Sequence, residues 1–358
     1  RDLICARFIQ PCLQKPNRAL AQAYSIDMMA GAGDEPFFEG TEKLLEVWFS
    51  STIGDDSLDL RDIDRCHWEA LLRLVKCTII SMSRNESMDA YVLSESSMFV
   101  TKDRFILKTC GKTTLLLAIK PLLEIVQKYC GFDDVKDVFY SRKKFMKPDQ
   151  QDRIHRNFED EVLHLEEMFE TGSAYSLGRI NRDCWYLYTL DGEGVTKPDQ
   201  TIELLMWDLC RKKMEIFTTD GSKDGRDATK KSGICNIIPG VQIDDYLFEP
   251  CGYSMNGLLP EGKYITIHIT PEPGYSYVSF ESNVPQESYN ELINRVLDTF
   301  RPGKFLMTIF ANKASIARES HKGIEDKRTI NNYNRQDHQT CVFKEYHLTY
   351  SYFTRPVI

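Results

Sequence analysis

Long hydrophobic runs are missing from this 358-residue chain. None approaches the ~20 apolar residues that a membrane-spanning helix needs, and the first residues lack the apolar core of a secretory signal. Basic charge is also scarce, because 45 Lys and Arg residues stand against 53 Asp and Glu, for a formal net charge of -8. A general binder of nucleic-acid phosphates usually carries a basic face. We therefore expect a cytoplasmic protein with no membrane and no nucleic-acid partner.

Paired metal-ligand motifs are also missing. The 11 cysteines include no Cys-x-x-Cys pair, and the 7 histidines include no His-Glu-x-x-His. An odd number of cysteines cannot all pair internally, so reduced thiols and no metal site are expected.

Common enzyme fingerprints are absent too. Neither Gly-x-Gly-x-x-Gly nor Gly-x-Ser-x-Gly occurs in the chain, which argues against dinucleotide-binding proteins and serine hydrolases. The tripeptide from Gly111 to Thr113 looks like the end of a phosphate-binding loop, but Ile106 stands where that loop needs its first glycine.

The composition is that of a folded protein, with 42% hydrophobic and 27% charged residues. Four segments have the β-branched and aromatic content of strands: residues 91–100, 104–109, 185–189 and 264–270. Residues 101–103 predict a hairpin turn between the first two. Helical spacing predicts helices over 41–49 and 286–300, while 191–197 and 218–232 are predicted surface loops. This pattern indicates an α+β fold with helix-covered antiparallel sheets.

The chain shows no clear internal linker or repeat. We expect residues 1–34 to be an extension outside the domain and residues 35–330 to form a single domain. No role is assigned to a C-terminal tail over residues 331–358.

Four segments carry chemistry when they are taken together: FFEGTEK at 37–43, YVLSESSMF at 91–99, PCGYSMNG at 250–257 and TIHITPE at 266–272. Any one of them alone would be an ordinary turn or strand. In their order and separation they resemble the eukaryotic, particularly animal, S-adenosylmethionine decarboxylase proenzymes, from about residue 37 to residue 312.

The resemblance implies a four-layer αββα sandwich with two central antiparallel sheets flanked by helices. It also implies a chain that cleaves itself between Glu95 and Ser96, into a β chain ending at 95 and an α chain starting at 96. Attack of the Ser96 hydroxyl on the Glu95 carbonyl would give an ester. His268 would then remove the Ser96 α-proton, and Ser254 would stabilise the processing intermediate.

Ser96 would end as a covalent pyruvoyl cofactor, which forms a Schiff base with the substrate amine and does the work of pyridoxal phosphate. Cys110 matches the proton donor, a role that a thiol titrating near neutral pH would suit. Glu39 and Glu42 are further expected catalytic residues. The expected S-adenosylmethionine-binding residues are Phe38, Leu93, Phe248 and Glu272. The product would be decarboxylated S-adenosylmethionine, the aminopropyl donor for spermidine and spermine.

The resemblance also implies a homodimer of processed pairs and an activator site for putrescine, whose two amines would compensate buried carboxylates. The residues expected at that site are Lys43, Glu46, Lys108, Asp199, Thr201, Glu203, Glu281 and Phe310.

Two alternatives stay open at this point. The family usually has Thr-Thr directly after the Cys110-Gly111 pair, but in this chain Lys112 is inserted there. This departure leaves open a second interpretation, an inactive regulatory paralogue that activates a partner decarboxylase. An unrelated pyridoxal-phosphate decarboxylase has no supporting motif. Without the resemblance, Cys110 would be interpreted as a small core residue and His268 as a satisfied strand histidine.

Overall fold

Two antiparallel sheets face each other in the computed structural model, which describes residues 37–190 and 195–356. The strands of the first sheet are β1 (Lys43–Ser50), β2 (Ile79–Arg84), β3 (Asp89–Leu93), β4 (Ser96–Val100), β5 (Arg104–Thr109), β6 (Asp134–Lys143), β7 (Gly172–Gly178) and β8 (Cys184–Leu190). Their order across the sheet is β2-β3-β4-β5-β1-β6-β8-β7.

The second sheet has nine strands. They are β9 (Gln200–Leu209), β10 (Gln242–Leu247), β11 (Tyr253–Leu259), β12 (Lys263–Thr270), β13 (Tyr277–Ser282), β14 (Pro302–Asn312), β15 (Thr329–Ile330), β16 (Tyr333–Val342) and β17 (Tyr346–Thr354). Their order is β10-β11-β12-β13-β9-β14-β17-β16-β15.

Helices cover the outer face of each sheet. The α-helices are α1 (Arg65–Leu74), α2 (Ile119–Tyr129), α3 (Phe158–Glu166), α4 (Arg211–Met214), α5 (Gly225–Ser232), α6 (Asn290–Phe300) and α7 (Ser320–Glu325). Short 3-10 helices occupy Leu60–Asp62, Leu115–Ala118, Pro148–Gln150, Arg153–His155, Glu215–Phe217, Ile234–Asn236 and Ile316–Glu319.

Strand alternation produces the four layers, because successive side chains point to opposite faces. In β12, Ile265 and Ile267 pack with the helices of the second sheet. Tyr264, on the other face, lies against Phe99 of the first sheet, with 4.5 Å between the ring centroids. The predicted αββα sandwich is confirmed.

The predicted helix over 41–49 is wrong, because Lys43–Ser50 is strand β1 at the centre of the first sheet. This strand is buried on both faces: Leu45 packs with the helices and Trp48 with residues between the sheets. A strand buried on both faces is a nearly continuous apolar run, which spacing alone does not distinguish from a buried helix.

Other predicted elements differ in extent. The hairpin of β4 and β5 is confirmed, but the run 91–100 is broken at Ser94 and Glu95 into β3 and β4. The strands predicted at 185–189 and 264–270 lie within β8 and β12. The helix predicted from residue 286 begins at Asn290.

One predicted loop is helical in its second half. The loop predicted over 218–232 contains α5, whose start is capped by the Asp224 side chain accepting from the Asp227 N–H. Of the loop predicted over 191–197, residues 191–194 lie outside the described residues, and 195–197 have no helix or strand.

The second sheet continues past residue 330, where the single domain was expected to end. Strand β17 pairs with β14 along its length, and Leu348, Tyr350 and Phe353 are fully buried. The expected extension over 1–34 lies outside the described residues. None of the helices in residues 37–190 and 195–356 has the length and apolar content to span a membrane.

Candidate active site

The tight turn between β3 and β4 places Ser96 at the first position of β4. Leu93 and Ser96 pair across this turn, and Ser96 has a φ of 125°, a backbone conformation that residues with a side chain rarely adopt. Successive strand residues normally face opposite ways, yet Ser96 and Ser97 both contact His268. The irregular backbone at Ser96 therefore turns its hydroxyl into the space between the sheets.

The Ser96 hydroxyl meets a carboxylate and an imidazole. It donates to Glu42 Oε1 at 2.6 Å, and it lies 3.2 Å from His268 Nδ1. The same Glu42 oxygen is 2.6 Å from His268 Nδ1. All three side chains are buried, so one carboxylate oxygen joins the serine and the histidine away from water.

Glu42 is held in its charged form by its neighbours. Burial disfavours the charge, but the Lys108 ammonium group and the contact with His268 outweigh burial and keep the pKa of Glu42 below its ordinary value. Lys108 Nζ lies 3.6 Å from Glu42 Oε2. Glu42 is therefore a carboxylate at neutral pH and serves as an acceptor of hydrogen bonds.

The imidazole is fixed on its other side by groups that the sequence analysis did not single out. Ser97 Oγ lies 2.8 Å from His268 Nε2 and donates to Asn256 Oδ1 at 2.7 Å. Asn256 lies in the third motif, but its partner Ser97 comes from the other sheet. Their contact could not be read from spacing along the chain.

Ser254 is the neighbour of His268 on β11, and Ser279 is its neighbour on β13. Both serines are buried, and Ser279 Oγ lies 3.5 Å from His268 Nδ1. The structure therefore brings Ser96, Ser254, His268 and Glu42 together. Glu39 is turned away: its carboxylate accepts from the backbone N–H groups of residues 146 and 147, at 2.8 and 3.1 Å.

Cys110 follows β5 and lies beside the expected cleavage point. Its Sγ is 3.6 Å from the Glu95 carbonyl oxygen, and its N–H donates to that same oxygen at 3.1 Å. The expected near-neutral thiol is wrong for the uncut chain: burial raises the pKa of Cys110 well above its ordinary value, with Glu95 adding to the rise. Burial also raises the pKa of Glu95 to about 7.

Lys112 does not displace this thiol. The inserted lysine is exposed, while the next residue, Thr113, is buried and donates to the Cys110 carbonyl oxygen at 2.8 Å. The extra residue is thus accommodated on the solvent side of the turn.

The expected substrate residues surround the same region. Phe38 is half-buried and lies beside Gly111, where an added Cβ would come within 3.0 Å of its ring. Phe248 is half-buried next to Gly252. Glu272 lies at the end of β12, with its Oε2 buried and without a hydrogen-bond partner among the described residues, and burial raises its pKa. Leu93 is fully buried in β3.

A cavity of about 50 Å³ lies between the sheets on the far side of Lys108. Six of the expected activator residues line it: Glu46, Asp199, Thr201, Glu203, Glu281 and Phe310. Lys108, fully buried, donates to Glu281 at 2.6 Å and to Glu203 at 3.3 Å. Because Lys108 also contacts Glu42, a single cation joins the cavity to the serine site.

Arg104, which was not predicted as a site residue, binds two of the carboxylates that line the cavity. It donates to Glu46 at 2.7 Å and to Asp199 at 3.3 Å, and its guanidinium lies 4.6 Å from the Trp48 ring centre. Arg104 and Lys108 are four residues apart on β5 and so share the face that meets the second sheet.

Lys43 is not brought to this cavity. It lies on the opposite face of β1 from Glu46, and its Nζ donates to the Gly111 carbonyl oxygen at 3.2 Å.

The described residues contain one group of three possible metal ligands, Asp64, Cys66 and His67, with ligand atoms within 4.8 Å of one another. It lies at the start of α1, where the helix dipole disfavours a cation. We assign no metal to it.

The fold and the site together define the class of protein: an α+β four-layer sandwich with a buried serine, histidine and carboxylate meeting between its two sheets. The AdoMetDC-delta26 monomer of Trypanosoma brucei has a similar structure, with a TM-score of 0.55 at 26% identity over 72% of this chain and 99% of that chain. The sequence model of the family described as adenosylmethionine decarboxylase matches residues 35–354. The chain belongs to that family.

Relatives support the same assignment along the length of the chain. The S-adenosylmethionine decarboxylase proenzyme of Xenopus laevis is 50% identical over 323 residues, which cover 89% of this chain and 96% of the relative. The proenzyme of Drosophila melanogaster is 49% identical over 334 residues, covering 89% and 95%. The family predicted from the four motifs is therefore confirmed.

Proposed function

We propose that this chain is a proenzyme that cleaves itself between Glu95 and Ser96, and that its α chain then decarboxylates S-adenosylmethionine for spermidine and spermine synthesis. The observation that carries the proposal is the meeting of Ser96 Oγ, Glu42 Oε1 and His268 Nδ1 within about 3 Å at the expected cleavage bond.

Self-cleavage would use these groups in sequence. Ser96 Oγ bonds to the Glu95 carbonyl carbon while Glu42 orients the hydroxyl, and the hydroxyl proton passes to the Ser96 nitrogen as the peptide C–N bond breaks, which leaves an ester. His268 then takes the Ser96 α-proton, and the Cβ–Oγ bond breaks with release of the Glu95 carboxylate. The proton taken from Cα then adds to Cβ, which converts the enamine into an imine. Water finally replaces the nitrogen, which leaves as ammonia, and the α chain begins with a pyruvoyl group.

The residues present suit that group. When formed, the pyruvoyl carbonyl would withdraw the electron pair left as carbon dioxide departs. Cys110, whose thiol lies 3.6 Å from the Glu95 carbonyl oxygen, would deliver a proton to the substrate carbon. Burial of Ser96, Cys110 and His268 excludes water from this step.

The proposed substrate-binding groups are Phe38, Phe248, Glu272 and Leu93. Two half-buried aromatic rings offer faces for the adenine and for the sulfonium cation. Glu272 Oε2 is buried and has no hydrogen-bond partner among the described residues. A buried carboxylate oxygen needs a hydrogen-bond donor, and the ribose hydroxyls would supply one. Leu93 would present its backbone near the base, and Glu39 would help to shape the site.

Putrescine is the proposed activator, bound in the cavity between the sheets. Glu46, Asp199, Glu203 and Glu281 contribute four buried carboxylates there, against the two cations Arg104 and Lys108. A diamine would supply the missing positive charge. Its effect would reach Ser96 through the contacts of Lys108 with Glu42.

We also propose a cytoplasmic homodimer of processed pairs. Nine described cysteines are free thiols, which suits a reducing compartment. Two exposed apolar side chains, Ile180 just after β7 and Val342 at the end of β16, are candidate contacts with a second copy.

Intact-mass analysis under denaturing conditions, followed by a decarboxylation assay, tests the central proposal. At 41.5 kDa for 358 residues, cleavage after residue 95 gives fragments of about 11 and 30 kDa. The Ser96→Ala variant should stay uncut and inactive. Ser94→Ala is the matched control, because Ser94 belongs to the same turn but its hydroxyl only accepts from the Thr78 N–H; it should be cleaved normally. An uncut, inactive wild-type chain would overturn the proposal and favour the regulatory paralogue.

A further inference from the structure

Lys43 is a buried cation without an ion pair in the part of the chain that the structure describes. Its side chain is fully buried, and its Nζ donates to two neutral oxygens, Gly111 O at 3.2 Å and Gln151 Oε1 at 3.5 Å. It also lies 5.2 Å from the centre of the Phe145 ring. A buried charge is costly, so a lysine that is held by neutral groups needs an explanation.

The turn that follows β5 supplies one. Gly111 has a φ of 61°, and both of its main-chain polar groups are held by the start of the first strand: its N–H donates to the Glu39 carbonyl oxygen at 2.9 Å, and its carbonyl accepts from Lys43. Cys110, the preceding residue, has its Sγ 3.6 Å from the Glu95 carbonyl oxygen. The two bonds that fix Gly111 therefore add to those that Cys110 makes through its own N–H and carbonyl group, and together they set the position of the thiol.

The loop over residues 145–151 shields the Lys43 ammonium group from water. The Glu39 carboxylate holds the N–H groups of residues 146 and 147, and this loop continues to Gln151. Phe145 and Gln151 are buried where they contact Lys43. The interaction between Lys43 and Gly111 is thus protected from competition by solvent.

We propose that Lys43 is a positioning residue for the proton donor: by binding the Gly111 carbonyl oxygen it holds the Cys110 thiol at the carbon that must be protonated after decarboxylation. This role differs from activator binding and rests on the proposed decarboxylase function. In the step concerned, a proton leaves Sγ for the substrate carbon, the sulfur keeps the electron pair as a thiolate, and water later restores the proton.

The charge of Lys43 also favours that step. Burial and the Glu95 carboxyl raise the pKa of Cys110, and Lys43 opposes the rise. Lys43 likewise opposes the rise that burial causes in the pKa of Glu95. A thiolate that forms at Cys110 is therefore stabilised by the buried Lys43 ammonium group.

The test variant is Lys43→Met, which fills the same apolar surroundings without a charge. Lys112→Met is the matched control, since it removes an exposed lysine from the same turn. Self-cleavage by intact mass and the unfolding temperature are measured first. The steady-state constants are then compared with and without putrescine.

We expect Lys43→Met to fold and self-cleave, and to lose kcat about 100-fold with KM nearly unchanged, whether or not putrescine is present. A misplaced donor also allows protonation at the former pyruvoyl carbon. Addition of water then leaves the substrate nitrogen on the α chain as an N-terminal alanine and releases the rest of the substrate as an aldehyde. The fraction of alanine N-termini per turnover should rise in Lys43→Met and stay at the wild-type value in Lys112→Met.

A second readout does not need the pyruvoyl group. In the uncut Ser96→Ala chain, alkylation of Cys110 by iodoacetamide at about pH 7, followed by peptide mass mapping, should be slower when Lys43 is Met. Burial lowers the pKa of Lys43 to about 8, so its ammonium group is still largely protonated at that pH. Unchanged kcat, alanine fraction and alkylation rate would overturn the proposal, as would a defect confined to the response to putrescine. Failure of the wild-type chain to decarboxylate would instead count against the proposed function.

Discussion

At the scale of single residues, the imidazole of His268 is held between the two sheets by contacts on both of its nitrogens. Glu42 lies at Nδ1, and Ser97 lies 2.8 Å from Nε2. A ring fixed at both ends keeps one orientation, which proton abstraction from a neighbouring residue requires. Ser97 contacts the ring but takes part in none of the proposed chemical steps, so its effect on the orientation of the ring can be tested separately.

We expect Ser97→Ala to fold but to self-cleave about tenfold more slowly, because the ring loses its anchor at Nε2 and turns away from the Ser96 α-proton. The rate follows from the appearance of the two fragments over time. Ser282→Ala is the control, since it removes a buried serine that donates to the Tyr264 carbonyl oxygen without contacting His268. Equal rates in Ser97→Ala and wild type would contradict this role.

The sequence could supply some of these residues and not others. Ser96 and His268 lie in segments whose order identifies the family, and Cys110 was assigned by its resemblance to the family's proton donor. Arg104 is a site residue because it contacts Asp199, which lies 95 positions further along the chain. Ser97 is one because it contacts Asn256 and His268, which lie 159 and 171 positions further along. Such contacts depend on strand register, which no local pattern specifies.

At the scale of elements, the misread first strand has a consequence for the site. On the predicted helix, Lys43 and Glu46 would share a face because they are three residues apart. In a strand, residues an odd number of positions apart lie on opposite faces, so Lys43 and Glu46 point opposite ways. Residues an even number of positions apart share a face, so Glu42 lies on the same side as Glu46. The structure accordingly sends Glu46 to the cavity and Lys43 to the Cys110 turn.

The segment before β1 is pressed against the second sheet at Gly40. An added Cβ there would lie 2.8 Å from Thr270 Oγ1 and 2.9 Å from Tyr277 Cβ, closer than real Cβ contacts allow. We expect Gly40→Ala to push this segment outward, move Phe38 and raise the KM for S-adenosylmethionine about tenfold, as measured by steady-state decarboxylation.

Gly323→Ala is the matched control for that substitution. Gly323 lies in α7 with nothing within 4 Å of an added Cβ, so alanine there should leave KM unchanged and stabilise the fold by about 0.5–1 kcal/mol. A wild-type KM in Gly40→Ala would show that the segment adjusts without moving Phe38.

At the scale of the whole molecule, the two sheets enclose more buried carboxylates than cations. Burial, opposed by Lys108 and reinforced by Glu281, raises the pKa of Glu203 to about 7. Burial raises the pKa of Glu46 as well, despite Arg104. Asp137, buried beside this group, also has its pKa raised by burial to about 7. Near neutral pH the free protein therefore holds protons that the unfolded chain has already released.

The sign of the pH dependence follows from those protons. A carboxyl whose pKa is higher in the folded state costs stability as pH rises from its unfolded value, 4.5 for Glu203, through its folded value of about 7. Putrescine keeps its two positive charges in this range and favours the ionised carboxylates. Its binding should therefore release protons, strengthen as pH rises toward about 8, and raise the unfolding temperature most at the upper end.

Calorimetric titration of putrescine at about pH 7, in two buffers with different heats of ionisation, measures the protons released. We expect a positive number in the wild type and a smaller one in Glu203→Gln, whose amide cannot titrate. Affinity that weakens with rising pH would contradict the predicted proton release. Heats that do not depend on the buffer would mean that these carboxyls are already ionised in the free protein. The carboxylates would then stay charged in the free protein, and the diamine would compensate their charge without displacing protons.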